Sequence, residues 1–299
     1  VRKYISPSSP LLGFFIPYKL SLINPLDILA ELAKHRRAEE AVELAALLRE
    51  PWLIPLADGK TPLQLLYEAS CKYWQLVKAL IGEIFTEEER TLTQTYEAIL
   101  SLVGSGVWEA KNLASILYSR GITSEPGANA ITPYLKNLQE MDLLEAKQIH
   151  RSRKKYYQLK SPIMEAYYYL DSRYDVSERT IAQAEVEPTL KRLLTQQIQS
   201  FTALFFQELL QGRWEYLLQP EVDFIITIRG KPAAIGEVKW GNYTKKDLIR
   251  FKEKVEALPG RKLFITKKRE HEVEGVDVLE AEDLISLAKQ KTPSTPEPL

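Results

Sequence analysis

Residues 221–240 read Glu221-Val222-Asp223-Phe224-Ile225-Ile226-Thr227-Ile228-Arg229-Gly230-Lys231-Pro232-Ala233-Ala234-Ile235-Gly236-Glu237-Val238-Lys239-Trp240. Two runs, 221–228 and 233–240, are rich in apolar and β-branched residues, as strands are. Between them Arg229-Gly230-Lys231-Pro232 reads as a tight turn, so the whole stretch predicts a β-hairpin. Side chains alternate along a strand, which sets Glu237 and Lys239 on one face. The hairpin then carries Asp223 toward them. Two carboxylates and an ammonium in such an arrangement suit phosphodiester cleavage assisted by Mg²⁺ or Mn²⁺. Asp223 and Glu237 are the expected metal ligands, since a hard cation takes carboxylate oxygen and fills its remaining positions with water and substrate phosphate. Lys239 is the expected catalytic lysine, steadying the attacking water or the developing charge. Glu208, in the helix before the hairpin, is a further candidate acid. The bland alternative is a solvated hairpin with a Glu237–Lys239 ion pair, a contact that contributes ~0–1 kcal/mol.

The surrounding pattern is α-β-β-β-α-β. Ile198, Phe201, Leu204, Phe205 and Leu209 recur at helical spacing over 195–210. Strands are expected at 214–218, 262–266 and 276–279, with helices at 245–258 and 281–289. The expected result is an α/β unit at 195–290 with a central mixed sheet.

Upstream, 86–162 predicts three helices and then a hairpin, the element order of a winged helix-turn-helix. Thr86 and Glu89 have the spacing of a capping box at the start of the first helix. The hairpin joins 143–146 to 155–159. Between Lys147 and Lys155 stand five cations and no acid: Lys147, Arg151, Arg153, Lys154 and Lys155. That cluster, with Lys136 on the third helix, is the expected nucleic-acid contact. It would act by neutralising phosphates, a salt-sensitive and sequence-independent attraction. Residues 1–85 are expected to be mostly helical after an irregular, proline-rich start. Residues 163–194 are expected to form a helical linker, and 291–299 a disordered tail. The fold class is therefore α+β and multidomain.

Composition narrows the function classes. The 299 residues carry 40 basic and 40 acidic side chains, so any basic surface must be local. The single cysteine, Cys71, excludes an intrachain disulfide and a cysteine-built zinc site. It is expected to be a buried structural thiol in a cytoplasmic protein. No apolar run reaches the ~20 residues of a membrane span. His35, His150 and His271 have no metal-ligand spacing and are expected at the surface. Tyr167, Tyr168, Tyr169 and Tyr174 are expected to pack in the core or at an interface. Gly59-Lys60-Thr61 echoes the end of a phosphate-binding loop, but Ile54 stands where that loop needs glycine, so a turn is expected and no nucleotide cofactor.

The Asp223…Glu237-Val238-Lys239 constellation resembles the PD-(D/E)xK nuclease superfamily over about residues 195–280. Pro220 stands three residues before Asp223 rather than next to it, a departure from that pattern. Most of the chain from Tyr96 onward resembles the C-terminal half of the archaeal P-loop ATPase family, where a winged helix precedes a nuclease-like domain of unknown function. The stretches that carry this are Tyr96-Glu97-Ala98-Ile99-Leu100, Ile131-Thr132-Pro133-Tyr134-Leu135-Lys136-Asn137-Leu138, Met141-Asp142-Leu143-Leu144-Glu145, Lys155-Tyr156-Tyr157-Gln158-Leu159-Lys160-Ser161-Pro162-Ile163, Phe205-Phe206-Gln207-Glu208-Leu209-Leu210, and Glu221–Ile225 with Gly236–Trp240. This chain has no Walker A sequence, so the resemblance implies no ATPase activity. It implies a stand-alone variant or a fragment that acts as a metal-dependent endonuclease on DNA, with a homodimer possible. The alternative is a DNA-binding regulator or protein-interaction module whose nuclease fold is inert.

Overall fold

The computed structural model describes residues 21–85 and 90–291. The capping box expected at Thr86–Glu89 lies outside them, as do the proline-rich start up to residue 20 and the tail from 292. Within them the chain is α+β, with eleven helices, a two-stranded sheet and a five-stranded mixed sheet.

The helical beginning holds α1 (Pro25–Leu32), α2 (Ala38–Leu47), a 3₁₀ segment (Pro51–Leu56), α3 (Pro62–Tyr67) and α4 (Trp74–Phe85). Thr61 caps α3 in a capping box with Gln64, and Lys60 pairs with Glu68, so Gly59-Lys60-Thr61 is a turn and helix start. The expected single helix over 63–84 is divided by a π-turn at Glu68–Lys72 and a bend at Tyr73. Cys71 is half-buried there, and burial raises its thiol pKa to about 11.

Next come α5 (Arg90–Gly104), α6 (Ala110–Ser119), α7 (Ala128–Glu140), and an antiparallel pair, β1 (Leu144–Gln148) with β2 (Lys155–Leu159). The expected linker is two helices, α8 (Pro162–Tyr174) and the long α9 (Gln183–Leu210). Asp175, left-handed at φ 55°, ends the first. Tyr167 and Tyr168 are buried core residues, in keeping with the packing role read from the sequence.

The larger sheet runs in chain order: β3 (Arg213–Glu215), β4 (Phe224–Ile228), β5 (Lys231–Lys239), β6 (Arg261–Thr266) and β7 (Asp277–Leu279). The first three are antiparallel; β5, β6 and β7 are parallel. Helix α10 (Lys245–Val255) makes the β5-to-β6 crossover, and α11 (Ala281–Lys291) follows β7. The turn between β4 and β5 is tighter than the four residues expected. Arg229 and Gly230 alone close it, both at positive φ (52° and 75°), which is the type I′ geometry that matches strand twist. Pro232 therefore lies inside β5, at the irregularity where Ile226 pairs with Ala234 but Thr227 with Pro232. A bulge is where a strand tolerates proline, because no ladder donor is needed.

Alternation sorts the sheet's two faces. Phe224, Ile226, Ala234, Val238, Leu263 and Ile265 enter the large core with Phe201, Phe205 and Phe206 of α9. Ile225, Ile235 and Phe264 form a second core with Leu248, Phe251 and Val255 of α10. The large core also takes in Leu29 of α1, Leu44 and Leu47 of α2, and Leu284 and Ala288 of α11. The helical beginning is thus packed on the α/β unit and shares its interior.

Candidate active site

Asp223 immediately precedes β4, and its N–H donates to the Gly236 carbonyl (3.1 Å). The β4–β5 ladder pairs Phe224 with Gly236 and Ile225 with Ile235. Asp223 stands one residue outside this ladder, where its bond to Gly236 holds it beside Glu237, whose charge acts on it. Both belong to the α10 face of the sheet. The close approach needs glycine at 236, because a Cβ there would meet Phe224 Cζ at 2.0 Å. Phe224 stacks in turn on Phe206 (5.6 Å).

Asp223, Glu237 and Lys239 line one open cavity of ≈ 320 Å³, together with Gln199, Glu221, Val222, Val238 and Lys254. The Asp223 Oδ2 accepts from the Val238 N–H (2.6 Å), which fixes the carboxyl against β5. Its pKa is raised to about 6. Burial is the main cause and the Glu237 charge adds to it, against the Val238 hydrogen bond and the Lys254 and Lys239 ammoniums. A group tuned toward neutrality in a cleft is a functional-site signature.

The sequence reading missed Lys254. This α10 side chain pairs with Glu237, so the ion pair that forms is not the Glu237–Lys239 one of the bland alternative but one across the helix–sheet boundary. Lys254 borders the apolar stripe of Leu248, Phe251 and Val255, but the sequence alone does not say which strand residue that edge meets. Lys239 is exposed at the cavity rim.

Glu208 is not among the lining residues. From α9 the cavity takes Gln199, nine positions or about 13 Å earlier along the helix axis. The Glu208 charge acts instead on the half-buried Arg49. Helical rise is what separates Glu208 from the acids it was expected to join. Among the described residues no group of three or more His, Cys, Asp or Glu converges on one point. The donor set offered to a metal is therefore the Asp223–Glu237 pair. That suffices for Mg²⁺, which binds through one or two carboxylates plus waters and phosphate.

The basic hairpin is less uniform than its composition implied. Lys147 is only 8% exposed. Its Nζ pairs with Glu145 (2.8 Å) and lies 4.3 Å from the Trp214 ring centroid. Burial lowers its pKa, with Glu145 opposing. As a phosphate contact Lys147 is corrected to a packing residue. Lys154 is exposed and held by Glu109 (2.8 Å), and Lys136 stands 3.8 Å from Glu140. Arg151, Arg153 and Lys155 are exposed.

His150 departs from its expected surface position. Its side chain is 6% exposed and its Nδ1 lies 2.7 Å from Glu215 Oε2; the other Glu215 oxygen accepts from Thr227 (2.9 Å). His150 N–H donates to the Tyr216 carbonyl (2.7 Å), and Tyr216 N–H to that of Gln148 (2.9 Å). The hairpin tip is thereby joined by main-chain bonds to the segment entering the larger sheet.

Comparison with protein-family models, curated proteins and solved structures finds no match to this chain. The site's geometry therefore carries the functional argument. No described helix is long and apolar enough to cross a membrane.

Proposed function

We propose that the protein is a cytoplasmic, metal-dependent nuclease acting on DNA, with a winged helix at 86–162 and a PD-(D/E)xK-type domain at 195–290. The observation that carries this is the convergence of Asp223, Glu237 and Lys239, with Lys254, on one solvent-open cavity. The β-strand positions and the α-βββ-α-β order support the same reading and its kinship to the C-terminal half of archaeal P-loop ATPases.

Asp223 and Glu237 would hold Mg²⁺ or Mn²⁺, which when bound supplies Lewis-acid polarisation of the phosphate and a more acidic water. The chain's own residues do the rest. The Val238 N–H orients the Asp223 carboxyl, and Lys254 steadies Glu237. Lys239, at the rim, presents an ammonium to the equatorial phosphate oxygens, where negative charge grows during in-line displacement. Exposed Arg151, Arg153 and Lys155 would hold the flanking backbone through its phosphates.

The test is cleavage of labelled plasmid and oligonucleotide DNA with Mg²⁺ or Mn²⁺. Wild type should cut, and Asp223→Ala and Lys239→Ala should each lose at least about a hundredfold, the scale of removing one stabilising group. Uncut DNA from wild-type protein under both ions refutes the reading. One observation favours a second reading, a DNA-binding module with an inert site: Lys254 already satisfies Glu237. Salt-sensitive retention of DNA without cleavage is the outcome that selects it.

A further inference from the structure

The acidic cavity does not end at Asp223. Gln199, Glu221, Val222 and Asp223 also line a second cavity of ≈ 360 Å³, which runs between the α/β unit and the helix–hairpin unit before it. Its chemistry differs from that of the first. Three aromatic rings make a column in its wall: Trp108 and Tyr156 stack at 5.0 Å, and Tyr156 and Tyr216 at 3.8 Å. Around the column stand amides and a carboxyl, Gln158, Gln196, Gln199 and Glu165, with two further carboxyls, Glu221 and Asp223, at the end shared with the first cavity. Among the described residues that line it there is no lysine or arginine. Trp214 also contributes a wall, and its indole N–H meets no acceptor among the described residues. Glu165 accepts from Gln197 (3.0 Å), and burial raises its pKa.

A cation-free pocket is a poor seat for phosphate. Rings beside amides and a carboxyl suit a neutral, planar group with donors and acceptors on its edge, which is the description of a nucleobase. The lysines stand on the other side of Asp223, where the phosphate of the same nucleotide would lie. A base stacked in a duplex cannot enter such a recess without leaving its partner.

We propose that the aromatic cavity binds one unpaired nucleobase of a DNA strand, adjoining the phosphate held at Asp223, Lys239 and Lys254. This deepens the nuclease reading and rests on it for the placement of the phosphate. The preferred substrate is then DNA with a single-stranded or extruded nucleotide at the cut, rather than a continuous duplex.

The test uses the full chain and three probes: a short single strand carrying one 2-aminopurine, the same strand with an abasic residue at that position, and a blunt duplex. Binding is read by anisotropy and 2-aminopurine fluorescence in EDTA, and cleavage separately with Mg²⁺. The base-bearing strand should bind roughly 5- to 100-fold tighter than the abasic one, the range of one base–aromatic stack, with quenched fluorescence. Trp108→Ala shortens the ring column, and Gln196→Trp fills the mouth from an exposed helical position; each should erase that difference. Equal affinity for the base-bearing and abasic strands, or a difference that survives both variants, overturns the proposal. Base-dependent binding of a strand that wild type never cuts supports the pocket while refuting hydrolysis. Cleavage without base-dependent binding overturns the pocket while leaving hydrolysis standing.

Discussion

Replacing Asp223 by Asn isolates what the site costs the fold. The raised Asp223 pKa means that the folded chain binds the proton more tightly than the unfolded one. The native carboxyl titrates at about 6 and the unfolded one near 3.8. Between those values the folded state holds more protons, so this group's contribution to stability is fully present below pH 4 and is lost as pH rises through 6. At ~1.4 kcal/mol per pKa unit, the shift amounts to about 3 kcal/mol, or about 2 once the solvent-open side of the cavity is counted. Asparagine is nearly the shape of the protonated acid and keeps an oxygen for the Val238 N–H. Asp223→Asn should therefore stabilise the metal-free protein by about 2 kcal/mol at pH 8 and by close to nothing at pH 4. Urea unfolding at both pH values measures it, with unchanged slope as the check that compactness is the same. Added Mg²⁺ should raise the wild-type midpoint and leave the variant where it is, because only the carboxylate pair gains from binding. A variant no more stable than wild type at pH 8, or equally stabilised at both pH values, refutes the account of Asp223 as a desolvated anion.

Three further outcomes follow from particular contacts. Gly236→Ala should destabilise the protein by about 1–3 kcal/mol, seen as a lower urea midpoint, because its methyl would strike the Phe224 ring. Lys147→Ala should cost on the order of 3 kcal/mol in the same assay, because Glu145 loses its ion-pair partner and keeps only the Gln158 amide, and should leave the salt dependence of DNA retention unchanged. Replacing Arg151, Arg153 and Lys155 together by Ala should do the reverse: stability should hold, and the slope of log affinity against log salt should fall by about 2–3 units.

Local signals carried most of the fold. The hairpin at 221–240, the helical stripe over 195–210 and the α10 stripe each have one period and clear breakers, and each element formed close to where its pattern lies. The hairpin pattern alone brought Asp223 near Glu237 and Lys239. Long-range placement was not legible. Lys254 joins Glu237 across a helix–sheet boundary, Gln199 rather than Glu208 reaches the cavity, and His150 is buried against Glu215. Each depends on how far and at what angle two distant segments pack, which no local period encodes. The basic run 147–155 misled for a related reason. Composition counts cations without telling which will lie over a tryptophan.

The first described helices are completed by the last described one, α11. Leu29 and Leu44 share an interior with Leu284 and Ala288, and Glu43 accepts both from Trp240 Nε1 (2.9 Å) and from Lys267 Nζ (2.8 Å). During synthesis at ~5–20 residues per second, α1 must wait roughly 12–50 s for α11 to be made. Helices α2 and α9 can cover part of its apolar stripe earlier, but the side that α11 closes stays open until that helix leaves the ribosome, which makes the nascent chain a client for holding chaperones.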